Sequence, residues 1–521
     1  MHGGAGIISE GKRPKDDELT LRALPTEEEN EVFATSVAQL RFALSMGLGR
    51  PFSAWSLERL IDSIIDTKRE FGTVGDEGNE GSTLFGGPVL DDEARRELQL
   101  RRFRTQAARA ARETPYYERL FSKLDVDPLQ LGFEDVARVP PTSKEALGED
   151  PDAFVRRTAT PCFRTTTTGT TGKPTSVCFS AYEMRTYIAL NAIALLFAGY
   201  IDEGDIVQIS ASSRATLGNS CFAGACARVG ALVYPIGLIE PTHTLAFLSE
   251  KRSTPGKKPR VSYMNTYPSY LGELVEEGLR RGYRPSDFGL ERVGVGGELV
   301  SEGLKARARR LFGAVEFDEG YGMTETWPLA GQPCSEGHLH YEPTSAMVEV
   351  LNPEGGTPAS PGEAGTLVVT PFPPYRETTI LLRYDTQDVA RPVGGALTCE
   401  LRNLQATTKL LGKLRLAVRH EGGWTFPRDV LEALEGCEEV PLPARYGFWA
   451  VPGGVAVEVV ARGSGSGARR AIGAHLEEQG VPVRELHLVE HPGALRRPVP
   501  LRCDLKEALF AEPSAQHVPT G

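Results

Sequence analysis

The sequence predicts an α/β fold, with a large layered unit followed by a small α+β unit, and three observations carry that expectation. Between Cys162 and Val389, short apolar runs alternate with stretches of helical periodicity, the pattern of strands and helices in alternating layers. Five of those runs, "DIVQISAS", "ALVYPIG", "RVSYMN", "RVGVGGE" and "AVEFDEGYG", lead into Gly, Ser or Asn, where α/β folds place their ligand loops. After Lys413 a shorter unit follows, in which "PRDVLEALEG" opens on Pro and closes on Gly, as a helix does.

A chain of 521 residues is long enough for more than one domain. Residues 1 to about 30 are polar and Gly-rich and are read as mobile. "VFATSVAQLRFALSM" and "SLERLIDSIIDTKREF" place apolar residues at helical spacing on either side of a Gly-Arg-Pro break. "GTVGDEGNEGST" reads as a linker, and a long helix is expected from about Asp91 to Glu113. Beyond the five strands, "AMVEVLN" and "GTLVVTPF" suit an antiparallel pair around the turn region "PEGGTPASPGEAG". In the last unit, strands are expected near 450–460 and 484–490 and a helix near 467–479. The resulting division is 1–90, a helical and flexible extension; 91–412, the large domain; and 413–521, a small lid domain.

An apolar fraction of 40% and a charged fraction of 24% describe an ordinary globular protein. With 58 Lys+Arg against 69 Asp+Glu the net charge is −11, which argues against nucleic acid and anionic membrane as partners. No run approaches the roughly 18 to 20 apolar residues of a membrane span, and "MHGGAGIISEGKRPKDDE" lacks a signal-peptide core. A cytoplasmic location is the expectation. Eight cysteines without a CxxC pair point to reduced thiols.

The stretch "TTTTGTTGKPT", Thr165 to Thr175, combines hydroxyls, two glycines that let backbone amides turn inward, and one lysine. A Walker loop needs four residues between its glycines and opens into a helix. Here the spacing is G-x-x-G-K, Pro174 follows, and "SVCFS" continues as a strand. The Walker reading is therefore rejected.

The stretch resembles the phosphate loop of the adenylate-forming superfamily, and most of all its phenylacetate-CoA ligase branch, with Thr167 and Thr168 in place of serines. Further stretches in the family's order carry the resemblance. They are "RRFRTQAARAARETPYYERLF" with "RVPPTSKEAL", then "RVGVGGELVSEGL", "FDEGYGMTETWPLAG", "LLRYDTQDVARP" and "LLGKLRLAVRHEGGWTFPRDVLEALE". The likeness runs from about residue 99 to 510 and leaves the first 90 or so residues outside it.

The resemblance implies a large adenylate-forming domain and an ATP-dependent ligase that activates a carboxylic acid, aryl or arylacetic, as acyl-AMP and passes it to CoA. It assigns Thr167, Thr168, Gly169, Thr170, Thr171, Gly172 and Lys173 to the ATP phosphates, Thr324 to the α-phosphate and Glu325 to Mg²⁺. Gly297, Glu298, Tyr321 and Gly322 would border adenine, and Asp388 and Lys413 the ribose side. Phe222, Tyr263, Tyr267 and Trp327 are expected to wall the acyl pocket.

Three departures from the family's pattern matter. In the tail "GALRRPVPLRCDLKEALF" no lysine stands where relatives bring one to the reacting carboxylate, which leaves Arg496 or Arg497, with Arg497 the catalytic candidate and Lys506 a weaker one. The hinge carboxylate is absent, with Lys413, Arg415 and Leu416 in that stretch, and "YDTQD" lacks the usual Arg and Gly, so that Asp385 adds a negative charge. Some members of the branch hold a structural zinc. Cys334, His338 or His340, and Cys399 fall in the matching places, but Leu401 stands where a further cysteine is usual. Three ligands leave a closed site incomplete, so buried thiols are expected rather than zinc. Two alternatives stay open: adenylation with another acceptor or substrate (an amine, a carrier-protein thiol, a non-carboxylate oxyanion), and a degenerate nucleotide-binding scaffold. A homodimer or a carrier protein is the partner such readings would bring.

Overall fold

The computed structural model describes residues 27–71, 91–166, 175–212 and 216–506. The chain opens with helices α1 (Glu27–Leu48) and α2 (Ala54–Phe71). Ala38, Phe42 and Met46, four residues apart, and Leu57, Leu60, Ile61 and Ile64 are buried in one cluster, which is the apolar stripe that a 3.6-residue period produces. Helix α3 (Asp92–Glu113) starts where the Asp91 carboxylate accepts the Ala94 N–H at 2.8 Å. Helix α4 (Pro115–Leu124) has Pro in its first turn, and the short α5 (Lys144–Glu149) is capped by Ser143.

Strands β1 (Pro161–Thr166) and β2 (Ser176–Ser180) pair antiparallel, with Thr166 opposite Ser176. The Thr/Gly stretch is thus flanked by strand on both sides, although residues 167–174 themselves lie outside the described residues. Helix α6 (Ala181–Ala198) follows a capping box of Ser180 and Glu183 and packs on α2.

The central sheet comes from β3 (Ile206–Ser210), α7 (Thr216–Arg228), β4 (Leu232–Pro235), α8 (Pro241–Ser249), β5 (Tyr263–Thr266), α9 (Pro268–Arg281), β6 (Arg292–Val295), α10 (Glu302–Phe312) and β7 (Glu316–Glu319). These are the five strands expected from the sequence. They are all parallel, in the order β4-β3-β5-β6-β7. The order reverses beside β3, and open α/β sheets bind ligands at such a point, outside the carboxyl ends of the strands.

Beyond it, β8 (Gly331–Pro333), β9 (Leu339–Tyr341) and, later, β13 (Gln405–Thr407) form a small sheet. Strands β10 (Ala346–Leu351), β11 (Gly365–Pro371), β12 (Tyr384–Ala390) and β14 (Gly412–Lys413) form an antiparallel sheet. After the hairpin β15 (Val418–His420) and β16 (Gly423–Thr425) come α11 (Pro427–Gly436), β17 (Tyr446–Val451), β18 (Gly454–Val460), α12 (Ser466–Glu478) and β19 (Val483–Val489). This last group has a core of its own, around Val430, Leu434, Tyr446, Val457 and Leu476. Fold class and element pattern follow the sequence reading. The expected "GTVGDEGNEGST" linker and most of the polar N-terminal stretch lie outside the described residues, among which no helix is long and apolar enough to cross a membrane.

Candidate functional site

The loops after β6 and β7 and the strand β12 converge on one set of polar side chains. At the end of β6, Gly297 adopts φ +82°, a conformation a Cβ would strain, and so turns the chain away from the sheet edge. Just after β7, Tyr321 is 7% exposed and its hydroxyl donates to Asp388 Oδ2 at 3.1 Å. Lys413 Nζ donates to the same oxygen at 2.9 Å and to the Thr386 carbonyl at 2.9 Å. Burial and the Asp388 carboxylate raise the Tyr321 phenol well above its ordinary range, so it stays a hydrogen-bond donor. The turn around Asp388 needs Gln387 at φ +60°, left-handed backbone that glycine adopts more readily than glutamine.

Glu325 is 2% exposed. Its Oε1 accepts from Thr175 Oγ1 at 3.1 Å and from the Tyr384 hydroxyl at 3.3 Å, which ties the exit of the Thr/Gly stretch to β12. The two hydroxyl donors satisfy this buried oxygen, and carboxylate oxygen is the ligand a hard cation such as Mg²⁺ takes. Thr324 beside it is half-buried. Lys144, the first residue of α5, has Glu325, Asp388, Lys413 and Arg415 as its charged neighbours, and burial lowers its ammonium below the usual range. The sequence reading used "PPTSKEAL" as a mark of resemblance and gave Lys144 no role. Its Pro-x-Thr-x-Lys pattern was the signal available.

Thr167, Thr168, Gly169, Thr170, Thr171, Gly172 and Lys173 lie outside the described residues. Glu298 lies near Gly297 but faces the C-terminal segment, accepting the backbone N–H groups of Ser269 and Arg502. Gly322 is exposed, with Trp327 closest to the place of its absent Cβ. Arg497 is exposed, and its carbonyl lies against Gly447 of β17. Arg496 is engaged by Glu458 at 3.1 Å and lies 4.2 Å over the Trp449 ring. From the same tail it is Arg502 that reaches the strand end: its Nε donates to the Gly297 carbonyl at 2.8 Å and its guanidinium lies 5.2 Å from the Tyr267 ring centroid. Asp385 accepts the Gln387 N–H at 3.0 Å. Of the four aromatic residues expected to wall a pocket, Phe222 and Tyr263 pair with ring centroids 5.7 Å apart. Trp327 belongs to another cluster, 6.3 Å from Tyr187.

The expectation of an incomplete three-ligand metal set is corrected. Cys334, His338, His340 and Cys399 bring one ligand atom each to within 4.8 Å of one another. The reason is local: His338 stands just before β9 and His340 within it, and both side chains reach the two cysteines, so both join instead of one. Cys399 Sγ lies 3.4 Å from His340 Nε2, and the Nδ1 atoms of both histidines are buried without a hydrogen bond. Two thiols and two imidazoles make the donor set of a closed tetrahedral zinc site.

The profile of the AMP-binding enzyme family matches residues 105–371, half of the chain. The chain belongs to the AMP-binding enzymes, an adenylate-forming class. Within that class it falls in the phenylacetate-CoA ligase-like branch. It is similar to the phenylacetate-coenzyme A ligase of Thermus thermophilus, 28% identical over 68% of this chain and 78% of that one. The enzyme of the same name from Escherichia coli is 28% identical over 65% and 75%. Among solved structures, a 2-hydroxyisobutyryl-CoA ligase in the postadenylation state shares the fold, with a TM-score of 0.65 at 19% identity over 81% of this chain and 92% of that one.

Proposed function

We propose that the chain is an ATP-dependent, AMP-forming acid-CoA ligase that activates an aryl or arylacetic acid. In the first half-reaction a substrate carboxylate oxygen attacks the α-phosphorus of ATP, and the bond to the bridging oxygen of pyrophosphate breaks. In the second, the CoA thiolate attacks the acyl carbonyl and AMP leaves with the shared oxygen. The protein's task in both is to place the reactants and balance their charge.

The observation that carries this reading is the joint placement of Glu325, tied to Thr175 and Tyr384, and of Asp388, tied to Tyr321 and Lys413, at one end of the sheet layers. Asp388 accepts the ribose hydroxyls, a role for which an acceptor-only carboxylate is suited. Lys144 and Lys413 supply positive charge on the phosphate side, and Lys173 and the hydroxyls and amides of Thr167–Gly172 hold the outer phosphates. Glu325 would hold Mg²⁺, which neutralises phosphate charge when bound. The half-buried Phe222 against Tyr263 supports a flat acid. The Cys334, His338, His340 and Cys399 set holds a structural zinc away from this chemistry.

The test is ATP–pyrophosphate exchange over a panel of acids, followed by mass spectrometry of the products with and without CoA. Acid-dependent exchange and acyl-CoA formation are expected, and Glu325→Gln should abolish both. Exchange without CoA consumption would replace CoA by another acceptor, the reading favoured by a hinge stretch in which Lys413 is already bound to Asp388.

A further inference from the structure

The Lys144 side chain makes no ion pair or hydrogen bond with any described residue, so the place of its ammonium is set by the backbone it stands on. That backbone is fastened to β12. Thr142, two residues earlier, bridges Tyr384 in parallel register: its N–H donates to the Arg383 carbonyl at 2.8 Å, and its carbonyl accepts the Asp385 N–H at 3.0 Å. Ser143 then caps α5, which starts at Lys144 and packs on β12. The strand that carries Asp388 and Tyr384, the partner of Glu325, therefore also seats the root of Lys144.

A side chain from another element locks this seam. Tyr117 of α4, Thr142 and Leu382, just ahead of β12, are all buried. Three contacts of 2.7 Å join them: Leu382 N to the Tyr117 hydroxyl, that hydroxyl to Thr142 Oγ1, and Thr142 Oγ1 to the Leu382 carbonyl. Counting hydrogens assigns the directions, since each hydroxyl has one to give. The Leu382 carbonyl lies 2.7 Å from Thr142 Oγ1 and 3.4 Å from the Tyr117 hydroxyl, so Thr142 donates to it and Tyr117 donates to Thr142. Tyr117 in turn accepts the Leu382 N–H, and the ring closes with each donor matched to an acceptor. Burial raises the Tyr117 phenol above its ordinary range, so it keeps the hydrogen it gives. Further along the segment, Arg383, at φ +47°, donates to the Val139 carbonyl at 2.5 Å and pairs with Glu349 through Nε and Nη2 at 2.9 and 3.0 Å. The approach to Lys144 is thus fixed to β12 at Val139 and again at Thr142.

We infer that Tyr117 is a positioning residue of the ligase: through Thr142 and the Leu382 backbone it sets where the Lys144 ammonium stands relative to Glu325 and Asp388. Tyr117 itself is fully buried and acts only through these groups. This rests on the placement of Lys144 on the phosphate side proposed above and adds the group that holds it there. Phenylalanine at 117 keeps the ring and leaves the buried Leu382 N–H without its acceptor, so the seam loosens while the core stays filled. A small displacement of a charge that acts on a reacting phosphate is costly to the rate.

The experiment is a double-mutant cycle on the full chain, read as kcat and KM for ATP–pyrophosphate exchange with the best acid of the panel, well below the thermal midpoint of each variant. Tyr117→Phe is expected to lower kcat about tenfold, with KM for ATP changed less than about threefold. In the Lys144→Ala background the same change should cost less than about twofold, because the group it positions is gone. A loss of equal size in both backgrounds would mean that Tyr117 supports the fold alone, and it overturns the inference, as does a Tyr117→Phe enzyme equal to wild type. Lys144→Ala activity within a few-fold of wild type removes the placement of Lys144 and the inference with it. Exchange with no acid at all removes the ligase reading as well. Should Tyr117→Phe fail to fold, Thr142→Ser, which keeps a hydroxyl, and Thr142→Val, which deletes it at similar volume, decide the matter. The serine variant should retain activity, and the valine variant should lose it only while Lys144 is present; equal losses with and without Lys144 overturn the inference.

Discussion

Glu435 of α11 lies where the small unit meets the large one, and its titration makes a measurable prediction. It is 3% exposed; its carboxylate accepts from Ser301 Oγ, the cap of α10, and from the Ala444 N–H at 3.2 Å. Burial pushes its carboxyl from the ordinary 4.5 up to about 7. The native state therefore keeps a proton that the unfolded chain has already released. Where the unfolded state binds fewer protons than the native state, stability falls as pH rises. The contribution of Glu435 is present in full below about 4.5 and is lost as pH climbs through about 7. At about 1.4 kcal/mol per pH unit, that window costs roughly 3 kcal/mol. In Glu435→Gln the oxygen can accept from Ala444 while the N–H₂ donates to Ser301 Oγ, so both contacts are kept without the ionisation. Urea midpoints of wild type and variant, measured between pH 4.5 and 8, should diverge, with the variant gaining on the wild type as pH rises. Parallel profiles would refute the argument, since they would mean that Glu435 gains enough hydration in the native state to titrate normally. Glu342, also raised to about 7 by burial, is unchanged in the variant and cancels from the difference.

Two further outcomes follow from the site. Lys144→Ala should lower ATP–pyrophosphate exchange by at least about 100-fold with little change in thermal midpoint, the scale on which a charge placed at a reacting phosphate acts; activity within a few-fold of wild type would remove Lys144 from the phosphate side. Purified protein should contain about one zinc per chain by elemental analysis, and Cys399→Ser should lose the metal and several degrees of thermal midpoint. Metal-free wild type with an unchanged midpoint would show the four residues to be ordinary core.

The central strands were legible because each couples an apolar run to a turn residue, and the antiparallel pair around Ala346 and Pro371 was legible for the same reason. Tyr321, Asp388 and Glu325 could be named from sequence because each stands in a short ordered motif. Lys144 could not be given a role, since its segment is remote in sequence and only folding sets it among Glu325, Asp388 and Lys413. Spacing alone leaves His338 and His340 as alternatives, and only the fold brings both to one cluster with the two cysteines. In the tail, "RRP" drew attention through its two adjacent charges, yet Arg496 is occupied by Glu458 and Arg502 is the residue that arrives at Gly297.

The hairpin of α1 and α2 has a practical consequence for anyone who trims this protein. The family's profile begins at residue 105, yet Phe42, Phe52, Ile61 and Ile64 are buried with α6 and the central strands in a single cluster. Arg102 of α3, 5% exposed, donates at once to the carbonyls of Met46 and Thr344. A fragment cut to the recognisable region would lay bare an oily flank on α6 and lose the guanidinium that satisfies the Thr344 carbonyl. Such a fragment should aggregate on expression, because the segment that folds together begins well before the segment that comparison can recognise.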